Sequence, residues 1–235
     1  MTDVTLEAAL DALYALADPV RAAEMAAYHK IERPYLGLSN PQVDDLVRDW
    51  RAACTIEGRI ALADGLWQSG SHEGMIAAAK LLTQARIRPD DTAAWQLIAG
   101  WVEEFEGWAV ADHACSAGGR RLIADPSQLD VVEGWTTHDN MWTRRAALVM
   151  TLPWARMSNP KPEDIAIRNR ILGWAERYAD DRDWFIQKAI GWWLRDLSRH
   201  DADVTQAWID AHGDRLKAFA RREALRHIND KRPKR

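Results

Sequence analysis

Apolar positions recur at helical spacing along almost the whole chain. Leu6, Leu10, Leu13 and Leu16 open the pattern at intervals of four, three and three, which puts all four on one face of a helix. Similar stretches predict helices over about 19–30, 41–53, 56–68, 72–84, 90–102, 107–115, 118–124, 127–135, 139–151, 162–178, 183–199, 203–211 and 214–228. Pro19, Pro34, Pro41, Gly70, Pro89, Pro126, Pro153 and Pro160 fall between them, where helix-breaking residues are expected. No alternating β-branched run is long enough to predict a strand. The pattern therefore predicts an all-α chain. Short helices on short turns suggest antiparallel pairs stacked sideways as a HEAT-like solenoid, although no strict period is visible and a closed helical bundle fits as well. A solenoid would turn a concave face towards an extended partner. With no Pro-rich or Gly/Ser-rich linker, residues 1–235 read as one domain whose tail, 229–235 (NDKRPKR), frays.

Composition narrows the class. A chain of 235 residues with 47% hydrophobic and 28% charged positions can bury a core without staples. Cys54 and Cys115 are the only cysteines, too few for a disulfide framework or a cysteine-rich metal site. The first residues are acidic and amphipathic, and no apolar stretch approaches the roughly 20 residues that span a bilayer. The expectation is a reduced, cytoplasmic protein with no membrane partner. Thirteen tryptophans against three phenylalanines is unusual, and most are expected to fill gaps between helices.

The net charge of -4 hides an asymmetry. Residues 1–112 carry 9 Lys+Arg and 18 Asp+Glu, whereas 113–235 carry 22 and 17, so one half is acidic and the other basic. Such a chain can still focus positive potential along one groove.

Four stretches could carry chemistry. In 183–199, Ile186, Ile190, Trp193 or Leu194, and Leu197 form the core-facing stripe, while Lys188, Trp192, Arg195 and Arg199 share another face. Basic and aromatic residues interleaved in this way suit nucleic acid, and a solvated face with one half-covered tryptophan is the alternative. In 107–115, Trp108 and Asp112 lie four apart on one face, where a carboxylate could stabilise positive charge or orient water. Most helical aspartates are merely exposed. In 138–150, the consecutive Arg144 and Arg145 point different ways, one towards a core-edge carboxylate and one outward, or both to the surface. In 214–228, Lys217 with Arg221 and Arg222 with Arg226 form cationic pairs that could clamp phosphates or simply be solvated. The seven histidines lack metal-ligand spacing, and no phosphate-cradling or nucleophile-elbow motif occurs. Neither a metal nor a nucleotide cofactor is indicated.

Five blocks, YHKIERPYLGLSNP (28–41), WVEEFEGWAVAD (101–112), NMWTRRAALV (140–149), DRDWFIQKAIGWWLRDLS (181–198) and RREAL (221–225), give the chain a resemblance to the AlkD-like family of HEAT-like repeat DNA glycosylases. The resemblance implies that Trp108 and Trp192 are aromatic walls of an active cleft, Asp112 its catalytic carboxylate and Arg145 its arginine. It implies DNA contacts from Arg195 and Tyr28, and the basic positions Arg144, Lys188 and Arg222 are expected to join them at the DNA. Ala109 stands where an acidic residue often follows the first cleft tryptophan, and the acidic N-terminal half is a second departure. The expected partner is double-stranded DNA carrying alkylated bases, bound by a monomer without cofactors. The implied activity is hydrolysis of N3- or N7-alkylated purines without a lysine nucleophile and without obligatory base flipping. A non-catalytic relative binding damaged or branched DNA and a protein-interaction scaffold are the alternatives.

Overall fold

The computed structural model describes residues 3–230, and among these every regular element is a helix. Of the tail expected to fray, 229–235, residues 229 and 230 belong to the last helix and 231–235 lie outside the described residues. The packing separates into two compact units, one ending at Asp125 and the other beginning at Pro126. The first holds α1 (Leu6–Ala15), α2 (Pro19–His29), α3 (Asn40–Ala53), α4 (Ile56–Gln68), α5 (His72–Leu81), α6 (Thr92–Trp101) and α7 (Trp108–Ala124). The second holds α8 (Leu129–Gly134), α9 (Met141–Met150), α10 (Leu152–Ala155), α11 (Pro162–Arg177), α12 (Trp184–Ser198), α13 (Ala202–His212), α14 (Ala218–Ala224) and α15 (Arg226–Asp230).

Side chains set the helix starts. Thr5, Asp18, Ser39 and Thr55 each accept a backbone N–H from the first turn that follows, and Ser39 forms a reciprocal capping box with Gln42. Pro19, Pro41 and Pro162 occupy the first turns of α2, α3 and α11, where their missing N–H costs nothing. Pro19 and Pro41 therefore open helices rather than merely separating them. Nine of the thirteen tryptophans are buried, leaving Trp108, Trp142, Trp184 and Trp192 with solvent access. The expected packing role holds for most of them; Trp67 and Trp101, for example, stack at 4.2 Å between centroids.

The loop after α2 is tied down by one buried carboxylate. Glu73, in the first turn of α5, accepts the backbone N–H groups of Leu36, Gly37 and Leu38 at 2.9, 2.8 and 3.2 Å. Gly37 has φ +83°, and a Cβ there would sit 2.3 Å from the Asp18 carbonyl oxygen. Only glycine satisfies both the left-handed backbone and the close approach. Gly37→Ala should therefore lower stability by about 2 kcal/mol or more in urea denaturation. Glu73→Gln, which turns an N–H towards a backbone N–H, should cost about 2–3 kcal/mol. A change under 0.5 kcal/mol in either variant would show that the loop is not held this way.

In the second unit the block FIQKAIGWWLR fixes packing as well as surface. Gln187 is fully buried, donates to the carbonyls of Ala179 and Asp181, and accepts the N–H of Lys217 at 2.7 Å. Gly191 lets α14 approach, because a Cβ there would stand 2.9 Å from the Ala220 carbonyl oxygen. Ile186, Ile190, Trp193, Leu194 and Leu197 all line the core, so Trp193 and Leu194 both point inward.

Two expected boundaries differ. Residues 107–115 and 118–124 form one continuous helix, α7, since Ala117, Gly118 and Gly119 are buried and packing outweighs the helix cost of two glycines. Residues 214–228 are not one helix: Leu216 and Lys217 are extended, and Lys217 gives its N–H to Gln187, which starts α14 afresh. No helix among the described residues is long and apolar enough to cross a membrane.

Candidate functional site

In the first unit the candidate residues gather around the start of α7. Gly107 has extended backbone and passes so close to Ile31 that a Cβ would lie 2.2 Å from its Cδ1. This close passage sets Trp108 beside the end of α2. Trp108 remains 37% exposed and Tyr28 70% exposed, with their rings edge to face at 6.3 Å. His29 lies 5.6 Å from the Trp108 ring and 5.0 Å from Tyr28. Asp112, half-buried, follows Trp108 by four residues in α7. The structure thus brings Tyr28, Trp108 and Asp112 into one neighbourhood, two of the three through direct ring contact.

Behind the exposed rings lies a second layer. His29 stacks parallel to Tyr35 at 5.9 Å, and His72 lies 4.7 Å from His29 and 4.9 Å from Tyr35. Arg33 runs alongside, donating to Glu106 at 2.7 Å and to the Met75 sulfur at 2.8 Å. Burial, reinforced by the positive charge of His29, Arg33 and His113, pushes the His72 imidazole down to about 3. Burial, then Arg33, lowers that of His29 against the opposing pull of Glu73. His113 is also lowered, by burial and then Lys80, with Asp112 and Asp44 acting the other way. At neutral pH the imidazoles of this layer are therefore uncharged.

In the second unit Trp192 is half-buried, and its indole N–H donates to the Asp196 carboxylate at 3.1 Å. The guanidinium of Arg156 lies 5.9 Å over the Trp192 ring and donates to the same Asp196 oxygen at 2.8 Å. Arg195 donates twice to the other Asp196 oxygen, at 3.0 and 2.9 Å, and pairs with Glu223. All three of its guanidinium nitrogens are thus engaged within the protein. Arg145 is buried, with its guanidinium 5.7 Å from the Trp142 ring, while Arg144 bonds the carbonyls of His138 and Asp139 and reaches Asp181 at 3.3 Å. Lys188 is exposed and sits 4.9 Å over the ring of Trp184, not Trp192. Trp184 in turn stacks on Phe219. Arg222 is exposed in a shallow depression with Arg221, Leu216 and Leu225, and Arg221 turns to Asp214.

Sequence spacing missed Asp196, which holds Trp192, although its place one turn beyond that tryptophan was a usable signal. It also missed His29, His72 and Tyr35, which come together only through the fold. Among the described residues no group of three or more His, Cys, Asp or Glu side chains is arranged to hold a metal ion.

The family profile described as "DNA alkylation repair enzyme" matches residues 9–228. Among solved structures, a predicted DNA alkylation repair enzyme from Enterococcus faecalis is similar with a TM-score of 0.73 at 20% identity, over 90% of this chain and 96% of that one. AlkD2 from Streptococcus mutans is similar with a TM-score of 0.59 at 16% identity, over 87% and 95%. The smu.31 protein of Streptococcus mutans UA159 gives 0.57 at 17%, over 78% and 90%. These likenesses support the helical-repeat fold. No curated protein matches the chain.

Proposed function

The chain belongs to the DNA alkylation repair enzyme family, and from that premise we propose that it is a monofunctional DNA glycosylase. It hydrolyses the N-glycosidic bond of cationic N3- or N7-alkylated purines in duplex DNA and leaves an abasic site. The observation that carries this reading is an exposed indole, Trp108, flanked by Tyr28 and His29 and followed one turn later by Asp112. Electron-rich ring faces attract a cation, and the imidazole against Trp108 does not compete, because burial and Arg33 keep His29 neutral while Arg33 itself pairs with Glu106.

The positive charge on an alkylated purine already weakens its bond to the sugar. As the C1′–N bond breaks, its electron pair goes to the base, which leaves neutral, and the sugar acquires oxocarbenium character. Asp112 stabilises that charge and orients the water whose oxygen bonds to C1′ as its proton is lost to solvent. Trp108 packs on the deoxyribose. Trp192, held by Asp196, and the buried Arg145 are assigned a second aromatic wall and a positive contact on the strength of the family resemblance. Lys188 and Arg222, both exposed, contact phosphates, as do Tyr28 and Arg144, whereas Arg195 acts mainly by holding Asp196. The protein acts as a monomer.

Alkali-labile sites should form in methylated duplex DNA and not in uracil-containing duplex. Salt-sensitive binding without such sites would instead indicate a non-catalytic DNA binder. Lys188→Glu should weaken binding to any duplex sequence and reduce the slope of log affinity against log salt by about 1, the loss of one phosphate contact. An unchanged slope would remove Lys188 from the interface.

A further inference from the structure

The contacts around Trp108 single out a residue that the cleft assignment does not include. We propose that His29 is a positioning residue that holds the Trp108 indole in its working orientation, an inference that rests on the glycosylase reading for its effect on rate. Trp108 is the first residue of α7, so no preceding turn of its own helix braces it. Two rings lie against it, Tyr28, itself 70% exposed, and His29, which is half-buried. His29 alone of the two is anchored: parallel to Tyr35 at 5.9 Å and against His72 at 4.7 Å. That layer is itself fixed, since His72 is 3% exposed and its backbone N–H donates to the Pro34 carbonyl at 2.9 Å. Glu73 clamps the loop just beyond Tyr35. Rigidity thus passes from the core through His72 and Tyr35 to His29, and from there to Trp108.

Charge fits the same role. The groups facing His29 are Tyr28, Tyr35, His72, Trp108, Arg33 and Glu73, and burial with Arg33 outweighs Glu73 to keep the imidazole neutral. A neutral ring can support the indole without repelling a positively charged base. A lysine or arginine there would occupy the π face that the substrate needs.

The test uses the full chain labelled with 5-fluorotryptophan, with the Trp108 fluorine resonance assigned by its disappearance in Trp108→Phe. At pH 7.5 this resonance should be a single narrow line in the wild type and in His29→Phe, which keeps an aromatic ring. In His29→Ala it should move towards the shift of a solvated indole and broaden. Release of N7-methylguanine should fall about tenfold in kcat for His29→Ala, with little change in KM, and recover in His29→Phe. If His29→Ala fails to fold, His29→Leu, which keeps bulk but no ring, is read in its place. An unmoved Trp108 line together with unchanged base release would overturn the proposal. A line that moves while the wild type releases no base would uphold the positioning role and reject the glycosylase reading, so the two failures are distinguishable.

Discussion

Asp112→Asn should bind methylated duplex DNA almost as tightly as the wild type and release its damaged purines about 10²–10³-fold more slowly, the usual cost of removing one preorganised charge-stabilising group. The substitution keeps the shape and hydrogen-bonding atoms of the side chain and removes only its negative charge. If Asp112 serves the transition state, where the sugar is positive, the loss falls on kcat rather than on binding. Single-turnover release of N7-methylguanine measures it. Trp108 remains in place in this variant, so packing on the sugar is preserved and the electrostatic contribution is isolated. Equal rates would remove Asp112 from the mechanism.

Acid should unfold the protein largely through His72. Folded, this imidazole takes a proton only near pH 3; in the unfolded chain it does so near 6.5. Between these values the unfolded state binds a proton that the folded state refuses, so stability falls as pH drops below 6.5 and levels near 3. The full loss from this group is roughly 5 kcal/mol, at about 1.4 kcal/mol per pH unit. His29 and His113, also lowered, act in the same direction. Urea denaturation at pH 7 and pH 5 measures the difference, which should shrink markedly in His72→Phe, a ring of similar shape between His29 and Tyr35. An identical pH dependence in that variant would show that His72 is not the acid-sensitive group.

Helical content and most helix positions were legible because each stretch carried its own periodicity and several carried their own cap. The face of α12 illustrates the strength and the limit of such reading. The spacing puts Ile186, Ile190, Trp193 and Leu197 in the core, and all four are buried there. Lys188 and Arg195 lie on the expected side of that helix, but their partners depend on other helices: Trp184 for the first, Glu223 for the second. The break at Leu216 and Lys217 was invisible because the acceptor that favours it, Gln187, lies thirty residues away in sequence. The candidate site was half legible for the same reason. Trp108 and Asp112 announce themselves by a one-turn spacing, whereas His29, Tyr35 and His72 meet only through the loop that Glu73 and Gly37 hold.

The most direct measurement is mass spectrometry of the free bases liberated from methylated duplex DNA by the wild-type protein. N7-methylguanine and N3-methyladenine should appear well above their spontaneous release, with no uracil from uracil-containing duplex. Bound DNA with no purine released beyond the spontaneous rate would contradict the assignment of glycosylase chemistry to this fold.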